Sequence, residues 1–266
     1  MKDIDEMTYS EANAIEYILM DIDDTLTLEG KLTSSSFTAL WKLKESGLKL
    51  IPVTGRPAGW CDLIARQWPV EAVIGENGAL VFWEETKASG LPVLKTEFHP
   101  AAIKNDHPVL IKIKERCFNT IPKLRLAKDQ FARLFDIAID FAEEDPILPL
   151  STAEKIREIA MEEGAIAKIS SIHVNIWMGN YNKLNMAETF LKNYYGWQKG
   201  KGDEQVLFVG DSPNDEPMFA RFPLSCGVAN VKKYGDLIKN YPAFVSTKEG
   251  GDGFAEIAEK ILKLKS

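Results

Sequence analysis

The chain has 266 residues, which is enough for one large domain or two ordinary ones. Hydrophobic residues make up 45% and charged residues 27%, a mixture that excludes intrinsic disorder, collagen-like repeats and low-complexity tracts. The 32 Lys and Arg residues against 39 Asp and Glu residues give a formal net charge of -7, and no dense basic block is present. We therefore expect no nucleic-acid partner.

The N-terminal segment and the cysteines indicate the cellular compartment of the protein. No stretch approaches the ~18 consecutive apolar residues of a membrane-spanning helix, and the acidic opening lacks the basic start of a signal peptide. Cys61, Cys117 and Cys226 are widely separated without CxxC spacing, which argues against a disulfide framework and a zinc site. We expect a cytoplasmic protein without a membrane partner and with reduced core thiols, while its oligomeric state stays open.

Strand and helix patterns alternate through the first part of the chain, after an irregular opening. Short apolar runs predict strands at 17–20, 48–53, 72–74 and 80–83, and helix signals fall at 34–45 and 57–68. This alternation is typical of the α/β class with a doubly wound, Rossmann-like parallel sheet.

A turn-like stretch at 86–92 marks a change of pattern, and the first pattern returns only after residue 181. We predict a core domain formed by residues 1–83 and 181–266, with an inserted α+β cap domain at 84–180. The insert is predicted to hold helices at 108–119 and 151–163 and strands at 134–141, 165–170 and 172–178, as an open sheet with two helices on one side. The second core segment is predicted to hold helices at 182–191 and 251–265 and strands at 205–210, 225–228 and 243–245.

Acidic residues follow two of the predicted core strands. Asp21 and Asp23 come after the first strand, and Asp211 and Asp215 come after the strand at 205–210. Ligands of such sheets bind beyond the carboxyl ends of the strands, so we expect these carboxylates to share one cleft. Two unit charges ~4 Å apart repel by about 4 kcal/mol at an effective dielectric of about 20, so the cluster requires a cation. Oxygen ligands favour a hard divalent ion, which we expect to be Mg²⁺.

The same residues suit phosphate ester chemistry. Asp21 and Asp23 are two residues apart at a strand exit, so one carboxylate can attack phosphorus while the other transfers protons. Thr54 and the amides after it lie between a strand and a helix, an arrangement that suits phosphate oxygens. Lys183 begins the returning helix and would add a positive charge.

Four segments together resemble the ordered motifs of the haloacid dehalogenase superfamily. They are DIDDTLT at 21–27, Thr54 after an apolar strand, Lys183, and GDSPND at 210–215. The long insert between Thr54 and Lys183 resembles the type IIB cap of that superfamily. The segments NGA and IWMGNYNKL resemble its Cof-type, sucrose-phosphatase-like branch.

The resemblance implies a role for each matching residue. Asp21 would be the nucleophile, and Asp23 the general acid and base. The implied metal ligands are Asp21, the backbone carbonyl of Asp23, and Asp211. The implied phosphate-binding residues are Thr54, Gly55, Lys183 and Asn214, with Ser212 and Asp215 in support.

The presence of Asp23 restricts the reactions that the resemblance implies. Dehalogenases of the superfamily lack this second aspartate, and the ATPase branch has Thr there, so the resemblance implies phosphate ester hydrolysis or phosphomutase chemistry. We expect a Mg²⁺-dependent phosphatase that acts through an aspartyl-phosphate on a small-molecule phosphate ester, such as a sugar phosphate. Two alternatives stay open: a sugar phosphomutase, and a noncatalytic phosphate- or Mg²⁺-binding module similar to a receiver domain.

Four further residues are candidate substrate contacts, each with an alternative. Arg56 reaches phosphate or forms a salt bridge within the core, and Asn77 contacts substrate or occupies a turn. Alternation along 172–178 puts His173 and Asn175 on a polar face that roofs the cleft or faces solvent. The opposite, apolar face is predicted to pack on the cap helices.

Overall fold

The computed structural model describes residues 1–266 and contains fifteen strands and eight α-helices. The strands are β1 (Lys2–Asp3), β2 (Tyr17–Met20), β3 (Thr27–Leu28), β4 (Lys31–Leu32), β5 (Lys49–Pro52), β6 (Ala72–Gly75), β7 (Leu80–Thr86), β8 (Pro92–Phe98), β9 (Arg125–Leu126), β10 (Asp136–Asp140), β11 (Ile166–Ile169), β12 (His173–Trp177), β13 (Val206–Gly210), β14 (Leu224–Gly227) and β15 (Phe244–Val245). The helices are α1 (Tyr9–Ala14), α2 (Ser34–Glu45), α3 (Ala58–Gln67), α4 (Pro108–Thr120), α5 (Leu150–Glu162), α6 (Lys183–Tyr195), α7 (Glu216–Arg221) and α8 (Gly250–Lys265). No helix combines the length and the apolar composition needed to cross a bilayer.

The core is a six-stranded parallel sheet in the order β1-β15-β14-β13-β2-β5. Its central strands are buried at every position, as expected for a sheet that is covered on both faces. Ile18 and Met20 of β2 join the apolar cluster that includes α2 and α8, whereas Tyr17 and Leu19 join the cluster that includes α6 and α7. The predicted doubly wound α/β fold is confirmed.

The segment that we predicted to be the cap, residues 84–180, holds a four-stranded antiparallel sheet in the order β11-β12-β10-β9. Val174 and Ile176 of β12 lie in one apolar cluster with residues of α4 and α5. The predicted packing of the apolar strand face on the cap helices is therefore correct, and the polar face of β12 is free to face the core.

Two parts of the chain differ from the sequence prediction. The opening is not irregular, because β1 pairs with β15 at the sheet edge and α1 packs on α8. β7 extends to Thr86 and pairs with β8, and β6 joins this hairpin to β5 through the bridge between Val53 and Ile74. Residue 84, the predicted start of the cap, therefore lies inside β7. We propose that the inserted domain begins after Phe98.

Candidate active site

The carboxylates meet because β2 and β13 are neighbours in the sheet. Met20 pairs with Val209, and the next amide, that of Asp21, donates to the Val209 carbonyl at 2.9 Å. Asp211 follows the end of β13 at the same edge of the sheet. One carboxylate oxygen from each of Asp21, Asp211 and Asp215 lies within 4.8 Å of the others, and all three residues are buried. The convergence that we predicted from strand exits is present.

Lys183 lies beside this cluster at the first residue of α6. Its Nζ is 3.1 Å from Asp21 Oδ1 in an ion pair and donates a hydrogen bond to Asp215 Oδ1 at 3.0 Å. Asn182 caps the helix, since its side chain accepts from the Asn185 amide at 2.8 Å. Although burial lowers the pKa of Lys183, the Asp21 and Asp215 carboxylates raise it more, so the lysine stays charged.

Gly78 lets the start of α6 approach the core. Its φ of +100° is in the region that favours glycine, and a Cβ there would lie 2.2 Å from the Asn182 carbonyl oxygen. Gly78→Ala is expected to displace the helix end that carries Lys183, with a loss of about 3 kcal/mol in the free energy of unfolding, because backbone strain and overlap add.

The matched control for this change is Gly90→Ala. Gly90 also has a positive φ, +78°, but a Cβ there would meet nothing within 4 Å. Gly90→Ala should therefore lower the free energy of unfolding only by the backbone strain, about 1 kcal/mol. Urea unfolding of both variants measures the difference, and equal losses would contradict the close approach at Gly78.

Asp215 connects the elements of the site. Its Oδ2 accepts from the amides of Asp211 at 3.1 Å and Ser212 at 3.4 Å, while its Oδ1 accepts from Lys183. The Ser212 hydroxyl donates to Asn214 Oδ1 at 2.8 Å, which orients the Asn214 side chain within the same turn. The two residues predicted as supporting thus shape the loop that carries Asp211.

Burial and mutual repulsion disfavour ionisation of the clustered carboxyls. Burial raises the pKa of Asp21 to about 7 despite the nearby Lys183 charge. Burial, followed by the charges of Asp215 and Asp21, also raises the pKa of Asp211 well above its usual range. Asp211 Oδ2 is buried without a hydrogen-bond partner. A hard cation such as Mg²⁺ fits this set of oxygen donors, which contains the Asp215 carboxylate in addition to the predicted ligands Asp21 and Asp211.

The Asp23 side chain is held by Arg56 beside the other carboxylates. Arg56 Nε donates to Asp23 Oδ2 at 2.9 Å and its Nη2 donates to Asp23 Oδ1 at 2.8 Å, so both carboxylate oxygens are held. The guanidinium also lies over the Trp60 ring, 4.3 Å from its centroid. Arg56 was predicted either to bind phosphate or to form a salt bridge within the core, and the structure contains the salt bridge, with Asp23.

Thr54 and Asn77 lie in the turns after β5 and β6. Thr54 is fully buried, and its hydroxyl accepts from the Arg56 amide at 3.0 Å; it does not cap α3, whose N-cap position is Pro57. Gly55 lines the cavity next to Asp21 and Asp23. Asn77 has a φ of 57°, as in the turn interpretation, and its buried Nδ2 has no hydrogen-bond partner.

A cavity of about 20 Å³ lies between the core and the cap. It is lined by Asp21, Asp23, Gly55, Arg56, Ser170, Ser171, Ile172, His173, Asn175, Asp211, Ser212 and Asn214. The polar face of β12 therefore covers the carboxylate cluster. Of the two predicted positions for this face, over the cleft or toward solvent, the structure has the first. His173 Nε2 is 2.8 Å from Glu143 Oε2, and Asn175 Nδ2 donates to Asp136 Oδ2 at 2.9 Å, so both side chains are oriented by cap carboxylates.

Several residues that join the core to the cap carried no signal in the sequence. Glu76 is fully buried and accepts from backbone amides of the cap, those of Leu134, Phe135 and Asp136. Arg133 of the cap donates to the Gly55 carbonyl at 2.9 Å. The Ser170–Ser171 turn of the cap was also missed, because two serines between strands indicate only a turn.

Comparisons with known proteins show the family of the chain. A family model described as haloacid dehalogenase-like hydrolase matches residues 18–257. A phosphoglycolate phosphatase of Methanobrevibacter smithii is 24% identical over 253 residues, which cover 93% of this chain and 99% of that protein.

Solved structures have a similar fold over nearly the whole chain. The crystal structure of Thermoplasma acidophilum 0175 has a TM-score of 0.69 at 20% identity and covers 94% of this chain and 99% of that one. A sugar phosphatase of HAD subclass IIB has a TM-score of 0.62 at 14% identity, with coverage of 94% and 99%. The family model spans most of the chain, so the predicted resemblance to the superfamily is confirmed: this chain belongs to the haloacid dehalogenase-like hydrolases.

Proposed function

We propose that the protein is a Mg²⁺-dependent phosphatase that hydrolyses a small phosphorylated metabolite through an aspartyl-phosphate on Asp21. The observation that carries this proposal is the buried carboxylate cluster beside Lys183, with Asp23 held next to the same cavity. A relative named phosphoglycolate phosphatase and the fold of a sugar phosphatase support it.

The chemistry proceeds in two displacements at phosphorus. An Asp21 carboxylate oxygen attacks phosphorus, the bond to the leaving-group oxygen breaks, and Asp23 donates a proton to that oxygen. Asp23 then removes a proton from water, which attacks phosphorus and releases phosphate with Asp21 regenerated. Lys183 binds phosphoryl oxygens and, by its charge, favours the carboxylate form of Asp21. Mg²⁺ held by Asp21, Asp211 and Asp215 would offset the negative charge of the cluster and the phosphoryl group.

The cavity indicates how substrate enters. A volume of about 20 Å³ accommodates one or two water molecules, which is less than a phosphoryl group occupies. We infer that the cap moves outward to admit substrate and then closes over it. The lining by Ser170, Ser171 and Asn175 suits a compact, polar leaving group, so 2-phosphoglycolate and sugar phosphates are the two candidate substrates.

A phosphate-release screen tests the function. The panel contains 2-phosphoglycolate, hexose phosphates and p-nitrophenyl phosphate, each with Mg²⁺ and with EDTA, and products are identified by mass spectrometry. We expect Mg²⁺-dependent release of free phosphate from at least one ester. Isomerised sugar phosphate would instead indicate a phosphomutase, and a phosphorylated protein without turnover would indicate a receiver-like module.

A further inference from the structure

Arg56 connects the general acid to the cap. Two of its nitrogens, Nε and Nη2, hold both oxygens of Asp23. The third nitrogen, Nη1, donates to Glu143 Oε1 at 3.0 Å and to Asp129 Oδ2 at 3.4 Å, and both acceptors belong to the cap. The guanidinium is planar and rigid, so a carboxylate bound on one edge restricts how the other edge is presented to Asp23.

Glu143 is itself held in place by cap groups. Its Oε2 bonds His173 Nε2 at 2.8 Å, and its amide donates to Asp140 Oδ1 at 2.8 Å. The hydrogen bond from His173, together with the Arg56 charge, lowers the pKa of Glu143 to about 2, so this carboxylate is ionised at neutral pH. An oriented anion from the cap therefore meets the cation that orients Asp23.

Other contacts also attach the cap to the core. Glu76 binds the amides of cap residues 134–136, and Arg133 binds the Gly55 carbonyl, and neither contact involves Asp23. The pair of Glu143 and Arg56 is an additional link, and it leads to a residue that lines the catalytic cavity.

We propose that Glu143 is a positioning residue that, when the cap closes, orients the general acid Asp23 through Arg56. The inference rests on the proposed phosphatase function and extends it, because it ties proton donation to the closed cap. Asp23 then donates its proton efficiently to the leaving-group oxygen only while Glu143 occupies the far edge of the Arg56 guanidinium.

The leaving group provides the readout. An alkyl phosphate such as 2-phosphoglycolate or a hexose phosphate needs a proton on its departing oxygen, whereas the phenolate of p-nitrophenyl phosphate departs with little help. A defect in positioning Asp23 therefore lowers kcat for alkyl esters more than for the nitrophenyl ester. A defect in folding or metal binding lowers both alike.

The experiment compares Glu143→Gln with Glu144→Gln on both kinds of ester. Glu144 is the matched control, because it is the adjacent cap residue and its carboxylate has only Lys128 nearby, at 3.4 Å. We expect Glu143→Gln to lower kcat about tenfold on the alkyl ester and less than about twofold on the nitrophenyl ester, with little change in KM, and Glu144→Gln to change neither. Asp23→Asn should show the same selectivity with a loss of about 10²–10⁴-fold.

Each other outcome is decisive. If Glu143→Gln matches the wild type on both esters, or lowers both equally at an unchanged melting temperature, the positioning role is wrong while the phosphatase function stands. A wild-type protein that releases no phosphate from any ester overturns the proposed function, and the inference with it. His173→Gln is a second variant: it keeps the Glu143 charge but removes its partner, and an equal loss on both esters there also contradicts the inference.

Discussion

Asp21→Asn is expected to abolish phosphate release while the fold stays intact. The amide has the shape of the carboxylate but no anionic oxygen to attack phosphorus, so kcat should fall by about 10⁴-fold or more. Burial raises the pKa of Asp21, so the buried charge does not stabilise the fold and its removal should not lower the melting temperature. Phosphate release and thermal melting measure the two effects.

The control for this variant is Asp24→Asn. Asp24 lies in the same segment with a φ of 56°, a conformation that Asn tolerates, and its amide donates to the Thr27 hydroxyl at 2.9 Å. The neighbouring substitution should leave turnover nearly unchanged. Full activity of Asp21→Asn would remove Asp21 from the nucleophile role.

Asp211→Asn is expected to weaken Mg²⁺ binding most. Asp211 brings a buried oxygen without a hydrogen-bond partner to the cluster, so we expect its loss to remove a direct ligand. Mutation of a residue that only supports a metal ligand typically lowers metal affinity by about 10–100-fold. Since Asp211 is expected to bind the ion directly, we expect the Kd for Mg²⁺ to rise by about 10²-fold or more. Isothermal titration with MgCl₂ measures this without turnover, and Asp62→Asn on the exposed face of α3 is the control. An unchanged Kd would exclude Asp211 as a ligand.

Asp211→Asn is also expected to change how the stability of the protein depends on pH. Burial and the neighbouring carboxylates raise the pKa of Asp211 in the folded state above its unfolded value, so the folded state binds the proton more tightly. Without Mg²⁺, stability should therefore fall as pH rises above about 4, the pKa of an unfolded Asp. Asp211→Asn should reduce this fall, and melting curves between pH 4 and pH 8, a range of about four units, record it.

The chemistry at the strand exits could be predicted because it is local in sequence. Asp21 and Asp211 each follow an apolar run, and the rule that parallel strands end at one sheet edge brings them together. Lys183 was harder to place, since a single lysine carries little signal. Only its position after the insert marked it, and its ion pair depends on the approach that Gly78 permits.

The contacts between core and cap could not be predicted, for a physical reason. Arg56 and Glu143 are 87 residues apart, and Glu76 and Phe135 are 59 apart, so no periodicity within an element relates them. The pairing at the predicted boundary was not foreseen for a similar reason: the turn at 86–92 indicates a loop, but it connects two paired strands of one hairpin. The two-residue strand β1 was missed because its partner lies at the far end of the chain.

Trapping of the phosphorylated protein tests the central claim most directly. Acid quenching during turnover, borohydride reduction of the acyl phosphate and peptide mass mapping identify the residue that received phosphorus. Modification at Asp21 in the wild type, with none in Asp21→Asn, is the expected result. Turnover with the modification at another residue, or with no acyl phosphate at any time point, would contradict it.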